Sequence, residues 1–242
     1  MSLIYGRQPV REVLASGRPV RRVLYCDDHA REIQFLVAQA SSRGIVAQQV
    51  GRALLDELAR GGNHQGIAVE APEREPASID DALDLARERN EEPLLLLLDH
   101  LQDPQNFGTL LRTADAVGVH GVVIPTRRAA GVTAAVARSS AGAVEHLLVV
   151  ETANLVQVIE ELKGKRVWVA GLDQQAAQDS FSIEAGLPLA IVVGSEGSGL
   201  SRLAKKKCDF LVSLPMRGHV ASLNASVAGS IVLYDIWRRR AA

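Results

Sequence analysis

The sequence predicts an α/β protein: a mostly parallel sheet in residues 93–242, preceded by a small α/β domain in residues 1–70. Three observations carry this reading. From Pro93 onward, short apolar runs alternate with helical segments, as in strands joined by crossover helices. Runs such as "LLLLL" and "AIVV" are apolar at every position rather than at alternate ones, as strands covered on both faces require. Between the two regions lies "APEREPASIDDALDLARERNEE", with two prolines and eight acidic against three basic side chains; this composition marks residues 71–92 as a linker.

In the first region, "GRQPVREVLAS" reads as a short helix with Val10, Val13 and Leu14 on one face, and "VRRVLYC" as a strand. "HAREIQFLVAQASSRG" is an amphipathic helix turning Ile33, Leu36 and Val37 inward. "IVAQQV" is strand-like, "GRALLDELARGG" is a helix stopped by glycines, and "GIAVEA" is a strand. His64-Gln65-Gly66 reads as a turn into that strand. In the linker, Ser78 is a candidate N-cap, with Asp80, Asp81 and Asp84 near the positive end of a helix. In the second region strands are expected at "LLLLLDH", "GVVIP", "HLLVV", "RVWVAGL", "LAIVVG" and "FLVSLP". Helices are expected at 107–117, 133–141, 153–163 and 199–207, with a long one at about 222–238.

Composition narrows the functional class. Charged residues make up 23% of the chain and hydrophobic residues 47%, which suits a globular protein rather than a disordered one. The longest uniformly apolar run, Pro93 to Leu98, is too short to span a bilayer, and no apolar signal region opens the chain. Cys26 and Cys208, the only cysteines, form no metal or redox spacing. A reducing, cytoplasmic location is expected, with no metal and no membrane or DNA partner. Basic clusters stand at Arg18, Arg21 and Arg22, at Arg127 and Arg128, at Lys205 to Lys207 and at Arg238 to Arg240. They either meet phosphates or form solvated helix ends and loops.

Ligands of parallel sheets bind beyond the carboxyl ends of the strands, and three polar motifs fall there. The first, "DHLQDPQNFGTLLRTADAVG", carries Asn106, Gly108 and Arg112. With a helix starting near Phe107, Asn106 stands at its mouth and Arg112 among Leu110, Leu111 and Ala114, where a guanidinium needs an anionic partner. A neighbouring acid such as Asp115 is the bland alternative to a ligand.

The second motif, "IVVGSEGSGLSRL", has glycines between a strand and a helix, yet it is no phosphate loop. Its order is G-x-x-G-x-G rather than the dinucleotide G-x-G-x-x-G, it follows the fifth strand of its domain, and it lacks the Gly-Lys-Ser/Thr of a P-loop. Glu196 at its centre would repel a phosphate, so the glycines suit close approach of an uncharged or cationic ligand. The alternative is an ordinary turn capped by Ser198 or Ser201. The third motif, "LPMRGHVASLNASVAGSIVLYDIWRRR", offers Ser222 as an N-cap, with Asn224 and Ser226 in the first turn of a helix. That helix is apolar enough from Ile231 to Trp237 to suggest a subunit interface.

In order and spacing, "NFGTLLRTA", "IVVGSEGSGLS" and "LPMRGHVASLNASVA" resemble the three signature motifs of the SpoU (TrmH-type) RNA ribose 2′-O-methyltransferases. The front segment, "YGRQPVREVL" through "GGNHQGIAVEA", is similar to the ribosomal-protein-like substrate-binding domain of the subgroup that methylates a guanosine in large-subunit rRNA. The resemblance implies a SPOUT-type fold with a C-terminal trefoil knot, S-adenosylmethionine as methyl donor, RNA as substrate and a homodimer. Carried over by position, Asn106, Arg112, Glu196, Ser222 and Asn224 match the catalytic set. Cofactor contacts are implied at backbone around Gly171, Gly194, Leu214, Met216 and Leu223.

The methyl acceptor implied is a ribose 2′-hydroxyl, which must lose a proton. A guanidinium keeps its proton in proteins and is a poor base. Arg112 is therefore expected to clamp the target phosphate and ribose, with Asn106 fixing its direction. Glu196, Ser222 and Asn224 would brace the knot and the arginine. Aromatic residues are only 4% of the chain, so phosphate contacts and RNA shape should outweigh base stacking. The competing readings are a tRNA guanosine methyltransferase, a methyltransferase of another rRNA site, and an RNA-binding ribosome assembly factor with incidental catalysis.

Overall fold

The computed structural model describes residues 1–26, 30–126, 133–220 and 222–241. The chain forms two compact units, Met1–Glu75 with Val132–His146, and Pro76–Gly131 with Leu147–Ala242.

The first unit is built on a four-stranded sheet. Its strands are β1 (Ser2–Tyr5), β2 (Arg22–Tyr25), β3 (Val46–Gln49) and β4 (Ile67–Ala71), in the order β1-β4-β2-β3. β4 runs antiparallel to both neighbours and β3 parallel to β2. Helices α1 (Arg7–Ala15), α2 (Arg31–Ser42) and α3 (Arg52–Leu58) alternate with them. α1 buries Val10, Val13 and Leu14; α2 buries Ile33, Leu36 and Ala40, leaving Val37 half-buried. The turn before β4 is fixed by His64, whose Nδ1 accepts from the Gly66 N–H at 3.0 Å while Nε2 meets Asp56 at 3.0 Å.

Two features of this unit differ from the sequence expectation. β1 was not foreseen, because "SLIY" is only four residues at a chain end. The segment expected as a helix at 133–141 of the larger domain instead belongs to this unit. Its short helix spans Ala134–Ser139 and its partners include Tyr5, whose hydroxyl accepts from Arg138 at 2.7 Å. The following turn supplies Glu145, buried in an ion pair with Arg18 at 3.0 Å.

The second unit holds a seven-stranded sheet. Helix α4 (Ile79–Arg89) opens it, starting at Ser78 in a reciprocal capping box with Asp81; residues 79–89 of the expected linker are thus a packed helix that buries Ile79, Ala82, Leu83 and Ala86. The chain continues through β5 (Leu94–Asp99), α5 (Pro104–Ala116) and β6 (Gly121–Pro125). After the short helix of the first unit, designated α6, it returns as β7 (Val149–Thr152), α7 (Leu155–Gly164), β8 (Trp168–Leu172) and β9 (Gln178–Asp179). It ends with β10 (Leu189–Gly194), α8 (Arg202–Lys207), β11 (Phe210–Ser213) and α9 (Ala225–Arg240). Strand order is β7-β6-β5-β10-β8-β11-β9, and all the pairings are parallel.

The uniformly apolar β5 and β10 lie side by side at the centre, buried along their whole length. β10 sits between β5 and β8. It therefore brings its glycine-rich exit loop between the ends of those two strands, the place where parallel sheets gather ligands. α9 packs on α5 and β10 through Gly229, where an added Cβ would meet Leu110 at 2.7 Å and Val193 at 3.0 Å.

Candidate active site

The carboxyl ends of β8, β10 and β11, with the start of α9, enclose a cavity of about 610 Å³, within the size range of small-molecule sites. Its walls include Leu172–Gln175 from the end of β8, Val193–Gly199 from the end of β10, Lys205 of α8, Leu214 and Met216 after β11, and Ser222–Ala225 before and at the start of α9. Gly194, Glu196, Leu214, Met216, Ser222, Leu223 and Asn224 all line it, from segments up to 30 residues apart in sequence.

The glycines of "GSEGSG" serve the loop itself. Gly197 and Gly199 have φ of 84° and 65°, the left-handed region that other residues enter at a cost. Ser195 and Gly199 exchange backbone hydrogen bonds of 3.1 and 2.9 Å, folding the loop back on the strand end. A Cβ on Gly194 would lie 2.2 Å from the Gly199 carbonyl carbon. Asp99, buried at the end of β5, fastens the far side of the loop by accepting from the Ser201 N–H at 2.6 Å. Ser201 in turn caps α8. The loop thus holds Glu196 at the cavity wall with its carboxylate exposed.

α5 begins at Pro104, capped by Asp103, three residues earlier than expected; Asn106 therefore lies in its first turn. From there the Asn106 amide donates to Glu196 Oε1. Its carbonyl oxygen is 3.0 Å from the Ser226 hydroxyl, which is also 2.7 Å from Asn224 Oδ1. The hydroxyl has one hydrogen, so it donates to one of these oxygens at a time. The N-cap of α9 is Asn224, not Ser222: Asn224 Oδ1 accepts from the N–H groups of Ser226 at 2.8 Å and Val227 at 3.3 Å. Ser222 is an exposed loop residue on the cavity wall. A continuous polar chain, Glu196–Asn106–Ser226–Asn224, joins the three sequence motifs.

Two expected residues stand apart. Arg112 is exposed on α5 rather than buried among its leucines, and among the described residues it makes no hydrogen bond or ion pair. The expected need for an internal counter-ion is therefore absent, and its guanidinium is free for an anion from outside. Gly171 does not line the cavity. It lies in β8 between β10 and β11, and a Cβ there would meet Leu200, Leu211 and Cys208 at 2.7 to 3.0 Å; its neighbour Leu172 is the lining residue.

Asp99 and Asp173 escaped the sequence reading, and Lys205 was noted only as part of a basic cluster. Asp99 was signalled only by an acid ending an apolar run. Asp173 and Lys205 form an ion pair of 2.5 Å on the cavity wall. Burial opposes ionisation of Asp173, but Lys205 and the Gln175 N–H outweigh it and hold the carboxyl below its usual range. Burial, with Asp209 and Asp99 nearby, pushes the Cys208 thiol up to about 12, which keeps it an inert thiol. The basic clusters are largely spent within the protein: Arg22 on Glu70, Lys207 on Glu160, Arg238 and Arg239 on Asp235. Arg127 and Arg128 lie outside the described residues.

With this geometry in view, the similarities to known proteins are specific. The profile of the SpoU rRNA Methylase family matches residues 93–234, and that of RNA 2′-O ribose methyltransferase substrate binding matches residues 3–77. YacO of Bacillus subtilis, named as a TrmH family tRNA/rRNA methyltransferase, is 44% identical over 238 residues, covering 98% of this chain and 95% of its own. The SpoU methyltransferase AviRb from Streptomyces viridochromogenes, solved in complex with AdoMet, superposes with a TM-score of 0.79 at 27% identity, over 99% of this chain and 90% of its own. The TrmH/SpoU tRNA modifying enzyme of A. aeolicus reaches a TM-score of 0.56 at 26% identity, over 67% of this chain and 84% of its own.

Proposed function

The chain belongs to the SpoU family of RNA methyltransferases, and from that premise we propose that it moves a methyl group from S-adenosylmethionine to the ribose 2′-hydroxyl of a guanosine in large-subunit rRNA. Membership makes it an S-adenosylmethionine-dependent RNA methyltransferase; the ribose, the guanosine and the rRNA are the proposal. The observation that carries it is the Glu196–Asn106–Ser226–Asn224 chain at the rim of a cavity large enough for a nucleoside-sized donor.

The residues fit that donor. The wall combines backbone of Gly194–Gly199 with the apolar side chains of Leu172, Val193, Leu214, Met216 and Leu223, suited to an aromatic base and a sugar. Glu196 adds a carboxylate toward a cationic ligand. Bound there, S-adenosylmethionine would supply an electrophilic methyl on a sulfonium. The protein must then hold the acceptor hydroxyl in line and accommodate one proton. Asn106 fixes the Glu196 carboxylate, whose second oxygen is left to accept from the ribose hydroxyl. Arg112, free of partners among the described residues, clamps the adjoining phosphate. It stabilises charge rather than removing the proton, since a guanidinium stays protonated. Ser222 and Asn224 hold the approach of the C-terminal segment, which we read as threaded in a trefoil knot.

Support for rRNA comes from the front unit. It matches the substrate-binding profile, and the likeness to the A. aeolicus tRNA enzyme leaves a third of this chain without a counterpart. A homodimer is part of the same reading. Val227, Ile231, Tyr234 and Trp237 form an exposed apolar row on α9, each 37–50% exposed, more than a solvated helix face usually shows. So is a cytoplasmic location, which the two free cysteines favour. Among the described residues no helix is long and apolar enough to cross a membrane.

The test is incubation with methyl-labelled S-adenosylmethionine and, separately, large-subunit rRNA and tRNA, followed by mapping of alkali-resistant positions. Label at one rRNA position is expected. Label confined to tRNA would contradict the rRNA reading. Label in neither would favour an RNA-binding assembly factor.

A further inference from the structure

We propose that Asp173 and Lys205 together read the purine of the methyl donor, Asp173 accepting from its exocyclic amino group and Lys205 donating to the neighbouring ring nitrogen. The inference rests on the reading that the cavity takes S-adenosylmethionine, and it concerns residues outside the three sequence motifs.

Position places the pair opposite the acceptor side. Asn106 and Arg112 follow β5, whereas Asp173 follows β8, with β10 between them. Neighbouring strands are spaced about 4.8 Å apart, so Asp173 stands roughly two strand widths, about 10 Å, from the line of β5. The methyl must face the acceptor on the Asn106 side. The adenine, the part of the donor farthest from its methyl, then falls toward β8.

Chemistry points the same way. Among the described residues, Asp173, Lys205 and Glu196 are the only ionisable side chains on the cavity wall. The Asp173 side chain is 10% exposed and Lys205 35%. Their 2.5 Å contact uses one ammonium hydrogen and one carboxylate oxygen, and the Gln175 N–H takes the other oxygen at 2.9 Å. Lone pairs and two ammonium hydrogens remain. The pair thus offers an acceptor beside a donor, the complement of adenine, which sets an amino donor next to a ring-nitrogen acceptor. A base with a carbonyl in place of the amino group would set oxygen against the carboxylate.

The Asp173 carboxylate is also held rigidly. The Asp173 N–H donates to the Val212 carbonyl at 2.9 Å, the Ala176 N–H to the Asp173 carbonyl at 3.0 Å, and the Ser213 hydroxyl to the Ala176 carbonyl at 2.9 Å. The acceptor is held on the sheet rather than carried on a free loop, as discrimination requires.

Calorimetric titration of the full-length protein with S-adenosylhomocysteine, 5′-methylthioadenosine and S-inosylhomocysteine tests the proposal. Lys205→Met and Asp173→Asn are each expected to weaken the first two ligands alike, by about tenfold or more. The inosine ligand should bind the unaltered protein weakly and lose little further. Loss confined to S-adenosylhomocysteine would overturn the proposal and assign the pair to the amino-acid arm. Unchanged affinities in both variants would overturn the proposal, and a lowered melting temperature beside them would reduce the pair to a clasp for α8. Failure of the unaltered protein to bind S-adenosylhomocysteine would overturn the cofactor reading and this one with it.

Discussion

At the residue scale, the site separates two tasks that the sequence motifs merge. Asn106 turns inward and spends both ends of its amide on Glu196 and Ser226. Arg112, on the same helix, faces solvent. The first organises the cavity rim; the second is exposed, where the proposed RNA phosphate could reach it. Arg112→Ala should therefore weaken RNA binding and lower the salt slope by about one unit, with S-adenosylmethionine affinity unchanged by calorimetry. Arg112→Lys keeps the charge but loses the planar fork, and methyl transfer should fall with it. Full transfer together with unaltered RNA affinity in the lysine variant would contradict the clamp. Away from the site, His120 is buried, with its Nδ1 accepting from the Leu94 N–H at 3.0 Å. Burial depresses it below its ordinary 6.5 despite the nearby Glu91. The unfolded chain thus takes up this proton first as pH falls, so stability is present above 6.5 and is lost below it, toward the lower folded value. Asp173 and Glu70, also depressed, add losses further into acid. Melting temperature should decline from pH 7 to pH 5; a flat profile over that range would refute this assignment.

At the scale of elements, the glycine-rich loop is a self-supporting turn before it is a binding surface. Its glycine order and Glu196 argued against a phosphate loop from sequence, leaving an uncharged or cationic ligand. The reason for Gly194 was not legible, because the atoms it makes room for belong to Gly199, and only the folded turn brings them within 2.2 Å. Gly194→Ala should cost about 1–3 kcal/mol of stability and weaken cofactor affinity, read by thermal melts and calorimetry; a variant with unchanged melting and affinity would show that the turn can yield. Local signals explain most other differences. Asp103-Pro104 is the cap-and-first-turn signature that starts α5 early. Ser222 and Asn224 are both good caps by residue type, and only the hydrogen bonds to Ser226 and Val227 choose between them.

At the scale of the whole molecule, apolar runs and their helical spacers were enough to read the sheet, since β5 and β10 are buried on both faces. Strand order was not readable, because nothing local in β10 tells that it pairs with both β5 and β8. The same holds for residues 132–146, whose helical pattern fits either unit and whose partners Tyr5 and Arg18 lie more than 100 residues earlier. The apolar row of α9 carries the dimer reading. Trp237→Glu combined with Tyr234→Glu should yield monomers by sedimentation while the isolated chain keeps its helical content; dimers of unchanged strength would contradict that surface.

Whether the acceptor is the proposed ribose hydroxyl is decided by digesting RNA methylated with labelled S-adenosylmethionine to nucleosides and separating them. The label should migrate as 2′-O-methylguanosine. Label on a nucleobase would contradict that acceptor.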